Sequence, residues 1–108
     1  MHEGSHSVIF SEDVVREGLR EVLDPEMRLS VVDLGLIYGI DIDGATVRVT
    51  YTLTSPGCPL ASVIAEQIGS AVLSIPGVRE VELTLTFTPP WDPRTMASEE
   101  ARLELGIW

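Results

Sequence analysis

The chain has 108 residues, 44% of them apolar, and a formal net charge of −10 from 17 acidic against 7 basic residues. That length fits one domain with a modest core, and the acidity argues against nucleic acid and anionic membranes as partners, because both need a basic face. No apolar run approaches the roughly 20 residues of a membrane span, and a single cysteine excludes an internal disulfide or a self-contained Cys-x-x-Cys metal site.

Residues 1–8, MHEGSHSV, read as a flexible leader, followed by a domain over 9–93 and, within the same domain, a C-terminal helix and tail over 94–108. The leader has no basic stretch ahead of an apolar one, so no secretory signal is read and a cytoplasmic protein is expected. Both histidines, His2 and His6, lie here. The intervening Gly4 and Ser5 disfavour the helix that a His-x-x-x-His metal pair needs.

Ser11 is suited to cap a first helix, with Glu12 and Asp13 in its positive first turn. Val14, Val15, Gly18, Leu19, Val22 and Leu23 recur at helical spacing, and Pro25 is expected to end the helix. An acidic connection, DPEMRLSVVDLG, follows. Leu36, Tyr38, Ile40 and Ile42 then alternate, Asp43-Gly44 signals a two-residue turn, and Val47, Val49, Tyr51 and Leu53 alternate on the return strand. The opposite face of that strand carries Thr46, Arg48, Thr50, Thr52 and Thr54.

A second helix is expected from Pro59, a residue suited to the first helical position, with Leu60, Ala61, Ile64, Ala65, Ile68, Ala71 and Val72 as its buried stripe. IPGV at 75–78 stops it. A third strand is expected over about 78–88, with Val81, Leu83, Leu85 and Phe87 on one face. The three prolines of TPPWDP (88–93) cannot continue a strand, and Ser98 to Leu105 reads as a short last helix ended by Gly106. The strand–helix–strand step implies a right-handed crossover with parallel strands. The fold class is therefore α+β: a two-layer sandwich of helix, strand, strand, helix, strand and short C-terminal helix on a small mixed sheet, with helices on one face and a threonine-rich, partly wet face opposite.

Cys58 falls at the expected start of the second helix. Free N–H groups and the positive end of the helix dipole favour a thiolate there, with a pKa below the usual thiol value. Gly57 allows close approach of a bound group, and Thr54 and Ser55 supply hydroxyl donors near the sulfur. A buried packing role is the plain alternative for a free cysteine. Asp24, Glu26 and Asp33 cluster in the acidic connection, where spacing alone is explained by capping and turn formation. Trp91 suits either a partner contact or a lid over the sheet edge.

DPE (24–26), VVDLGLIY (31–38), TSPGCP (54–59), IPGV (75–78), PPW (89–91) and SEEARLELGI (98–107) occur in this order. The ordered set resembles the SufT/PaaD-like iron–sulfur assembly domains, the MIP-eighteen family, over about residues 10–107. The resemblance implies a non-enzymatic maturation factor with Cys58 as the ligating or reactive thiol. It also implies a transient iron–sulfur cluster or iron, with Thr54, Ser55, Gly57, Asp24, Glu26 and Asp33 around it. Implied partners are client apoproteins and the assembly machinery, with a homodimer as one way to share a cluster between single thiols. PaaD-type members carry a further cysteine-rich zinc segment that this sequence does not contain, so a short single-domain member is expected. The alternatives are a thiol-independent adaptor, an accessory protein of a multicomponent oxygenase pathway, or a thiol enzyme. The last is disfavoured because the only histidines available as a base are in the leader.

Overall fold

The computed structural model describes residues 10–25, 27–54 and 61–106. The expected leader, Glu26, the segment 55–60 with Ser55, Gly57, Cys58, Pro59 and Leu60, and the last two residues lie outside the described residues.

The first helix, α1 (Glu12–Leu19), starts where expected, with the Ser11 hydroxyl accepting from Val14 N at 3.4 Å. It ends earlier than Pro25. Beyond Leu19 the backbone turns and pairs with itself: Asp24 N donates to Leu29 O and Val31 N to Val22 O, both at 2.9 Å. These non-helical bonds take the groups that a longer helix would use. Val15 and Leu19 are fully buried, whereas Val14 and Leu23, expected on the same stripe, are exposed.

Strands β1 (Ile37–Asp43) and β2 (Thr46–Tyr51) form the antiparallel hairpin. The turn sits one residue later than expected. Asp43 pairs with Thr46, leaving Gly44 and Ala45 as the loop. Only Gly44 of the two has positive φ (61°), the pattern of a II′ turn with glycine first. The register shifts between Ile37 and Gly39. This bulge breaks the expected Leu36–Tyr38–Ile40 alternation: Leu36 and Ile37 are both buried, and Tyr38 is turned toward Pro89.

Helix α2 (Ala61–Leu73) buries Ile64, Ile68 and Val72. The chain leaves it through the turn 75–78, closed by Val78 N on Ile75 O at 3.1 Å with Gly77 at φ 99°. Pro76 and Gly77 thus occupy the two central positions that favour proline and a positive-φ glycine in a type II turn. Strand β3 (Glu80–Leu85) pairs parallel with β2, completing the sheet order β1-β2-β3. It is shorter than expected, and Leu85 and Phe87 are exposed rather than packed.

A single-turn helix, α3 (Pro93–Met96), precedes the expected α4 (Glu99–Leu105). Its signal was present in Asp92-Pro93, a capping residue before a proline at the first position. Helices α1 and α2 pack together, α1 against β1 and α2 against β3. Val47 and Val49 of β2 are fully buried beneath them, and Tyr51 joins the core, where burial pushes its phenol above the ordinary tyrosine range. The architecture is the expected α+β arrangement with a small mixed sheet. Among the described residues no helix is long and apolar enough to cross a membrane.

Candidate functional site

The segment that carries Cys58 is reached through the end of β2, and that end is held on both sides. Thr52 N donates to Leu36 O at 2.8 Å, extending the hairpin ladder past the Ile37–Tyr51 pair. Thr86 N donates to Tyr51 O at 2.9 Å from the β3 side. Leu53 is buried and Thr54 half-buried at the last described position. Thr52 is fully buried, and its hydroxyl has no hydrogen-bond partner among the described residues, unlike the Ser30 hydroxyl, which accepts from Val32 N at 3.1 Å.

Leu36 belongs to the turn over residues 30–36, which is braced internally by Leu34 N on Ser30 O and Leu36 N on Val31 O, both 2.9 Å. The C-terminal segment clamps this turn. Trp91 Nε1 donates to Leu34 O at 2.7 Å, and Ser98 N donates to Asp33 O at 2.6 Å. Gly35 has φ 78°, and a Cβ built there would overlap the Met96 carbonyl. The motif VVDLG therefore needs glycine for two reasons, backbone conformation and close approach. Trp91 packs partly buried against the core with its N–H taken by the 30–36 turn.

The two described acids have different neighbours. Asp24 is 1% exposed; its Oδ1 accepts from Met27 N at 3.0 Å and its carbonyl from Arg28 N at 2.7 Å. It holds a turn in which Arg28 takes positive φ (59°). It also lines an open cleft of about 470 Å³ with Glu21, Leu23, Pro25, Arg28 and Gln67 of α2. Asp33 Oδ1 instead pairs with Arg20 at 2.8 Å, with both side chains partly exposed. Nothing in the spacing of Arg20 and Asp33 signalled that pair. Of the seven residues expected at the site, Asp24, Asp33 and Thr54 are described, and Glu26, Ser55, Gly57 and Cys58 lie outside the described residues. Among the described residues no group of three or more His, Cys, Asp or Glu is placed to hold a metal ion.

The threonine-rich face carries an open groove of about 760 Å³. Thr50, Thr84, Thr86 and Thr88 line it, with Tyr38, Pro89 and Met96 among its walls. Tyr38 reaches Pro89 O through its hydroxyl at 2.7 Å, a contact made available by the bulge in β1 and unreadable from strict alternation.

A small α+β scaffold with a clamped acidic turn beside the strand that leads to a lone cysteine is the class that the geometry defines. The family model described as iron–sulfur cluster assembly protein matches residues 12–83, and the chain belongs to that family. It is 53% identical over 98 residues to an Fe–S protein maturation auxiliary factor of Porphyromonas gingivalis, covering 89% of this chain and 90% of that one. It is 37% identical over 87 residues to the Fe–S protein maturation auxiliary factor SufT of Staphylococcus aureus, covering 80% and 98%. The crystal structure of a domain of unknown function, DUF59, from Bacillus anthracis superposes with a TM-score of 0.83 at 34% identity, covering 90% of this chain and 92% of that chain.

Proposed function

We propose that the protein is an iron–sulfur protein maturation factor, a non-catalytic carrier or docking protein that hands a cluster, or iron bound for one, to client apoproteins. The observation that carries this reading is the 53% identity, over nearly the whole of both chains, to a protein named for that task. The cluster is cargo in this scheme. Cys58 supplies the thiolate, the form that ligates iron. One thiol per chain leaves the remaining ligands to a client, an assembly protein, a second copy or a small molecule. Glu26 adds a carboxylate oxygen, Thr54 and Ser55 donate hydrogen bonds to sulfur, and Gly57 admits the cargo. Asp24 holds the turn next to Glu26, and Asp33 ties its own turn to α1 through Arg20.

The supporting physical feature is restraint at the strand exit. Backbone bonds to both neighbours fix β2 up to Thr52, six residues before Cys58. A ligand-bearing segment that starts from a fixed point loses less freedom when it closes on cargo. The test is complementation in cells lacking the native protein, scored by the activity of a client iron–sulfur enzyme at equal expression. Cys58→Ser is expected to abolish client activity while the folding free energy stays within about 1 kcal/mol of wild type. Glu26→Gln is expected to fold as well and to reduce client activity partially. Full client activity with Cys58→Ser would overturn the thiol's role, and a loss of several kcal/mol with activity retained would make Cys58 a packing residue.

A further inference from the structure

The sheet has two edges, and they differ. The β1 edge is interrupted by the bulge at Ile37–Gly39, a common means of blunting an edge. Strand β3 pairs in unbroken register from Glu80 to Leu85 and has one strand neighbour, β2, among the described residues. Its hydrogen-bonding sides can be assigned. Glu80 N donates to Ala45 O and Thr86 N to Tyr51 O, so the even-numbered residues point their N–H groups at β2. The amides of Val81, Leu83 and Leu85 therefore face outward. Among the described residues these donors have no acceptor, and they stand at roughly 6.6 Å spacing, two residues of strand apart.

The side chains on this edge state what would fit it. On the open face Glu80 and Glu82 are exposed, each engaged through one carboxylate oxygen, to Thr46 Oγ1 at 3.1 Å and to Arg48 Nε at 2.9 Å. Asp41 and Asp43 stand on the same face, and together with Glu82 they set three carboxylates around the Arg48 guanidinium. On the helix face Val81 and Leu83 are half-buried and Leu85 is exposed at 42%; Phe87, just past the strand, is exposed at 38%. A strand laid on this edge would meet acids at alternate positions and apolar side chains between them.

From this edge we infer that β3 is a docking site for an extended segment of a partner protein with alternating basic and apolar residues, added to the sheet as a fourth strand. Main-chain bonds to Val81, Leu83 and Leu85 supply the pairing, and Lys or Arg opposite Glu80 and Glu82 supplies the selectivity. A second copy of this chain is a poorer occupant: it brings another net charge of −10 and presents the same glutamates. The inference does not depend on the role of Cys58.

The probe is the blocked hexapeptide Lys-Val-Lys-Val-Thr-Leu, titrated into the full ¹⁵N-labelled chain, with a Glu-for-Lys peptide as control. The expected result is amide shifts and slowed hydrogen exchange at Val81, Leu83 and Leu85, weakened by salt, with the glutamate peptide bound about tenfold less tightly. Leu85→Pro removes an outward N–H while leaving the β2 bonds, and should abolish binding. Glu80→Gln with Glu82→Gln keeps the edge and should erase the preference for lysine, which guards against a proline variant that fails to fold. Any of three results would overturn the inference: no shifts at millimolar peptide, shifts confined to the threonine groove, or edge amides already protected in a concentration-dependent dimer without peptide.

Discussion

The two ends of the sheet are held by different physics. At the hairpin end Arg48 reaches Asp41 at 3.4 Å, Asp43 at 3.5 Å and Glu82 at 2.9 Å, and the three carboxylate side chains are 55–75% exposed. At the other end the clamp on the 30–36 turn is made of neutral hydrogen bonds to the Asp33 and Leu34 carbonyls and of close packing at Gly35, with Leu34 fully buried. Exposed ion pairs contribute little, since water competes for both partners. Buried hydrogen bonds are costly to leave half-made, because the orphaned group cannot return to solvent. The end next to the Cys58 segment is thus the one built to stay in place.

The clamp breaks most directly at Gly35. Gly35→Ala must place a side chain at φ 78° and against the Met96 carbonyl, so either the backbone strains or the C-terminal segment lifts. The expected cost is about 3 kcal/mol by urea unfolding. A loss below about 1 kcal/mol would mean that the clamp yields easily, and the contrast between the two ends would fail. Trp91→Phe is the intermediate case. It keeps most of the ring packing but withdraws the donor from the buried Leu34 carbonyl, for an expected loss of about 1–2 kcal/mol. Unchanged stability there would show that water replaces the indole N–H.

Much of the fold was legible because it follows from local rules. Ser11 and Ser98 cap helices, Gly44 sits in the hairpin turn, Pro76-Gly77 closes the turn after α2, and the valines of β2 alternate inward. Two of the misreadings trace to a contact that the local pattern does not carry. Val22 and Leu23 keep helical spacing, but the return chain over residues 29–31 pairs with them. Tyr38 keeps strand spacing, but the bulge hands its hydroxyl to Pro89. The candidate site stands as the sequence reads it, a thiol, acids and hydroxyls expected at a strand-to-helix corner, of which Asp24, Asp33 and Thr54 are described. Its support was not legible, since Arg20 on Asp33 and Trp91 on Leu34 join residues 13 and 57 positions apart.

The smallest effect belongs to Arg48. Hydrogen bonding to Glu82, with the nearby acids adding to it, raises its already high pKa, so it keeps its charge throughout the accessible pH range. That proton is therefore no switch; screening is the available lever. Arg48→Gln removes the cation that Asp41, Asp43 and Glu82 share and leaves their mutual repulsion uncompensated. At low ionic strength the unfolding midpoint should fall slightly. Near 1 M salt, where the Debye length is about 3 Å, the variant and wild type should coincide. A large loss that persists at high salt would mean that the Arg48 stem packs across the open face, making that end as structural as the clamp. The same substitution leaves the glutamates of β3 more negative, so a lysine-bearing strand should bind the variant more tightly at low salt, even as the hairpin loses its own cation.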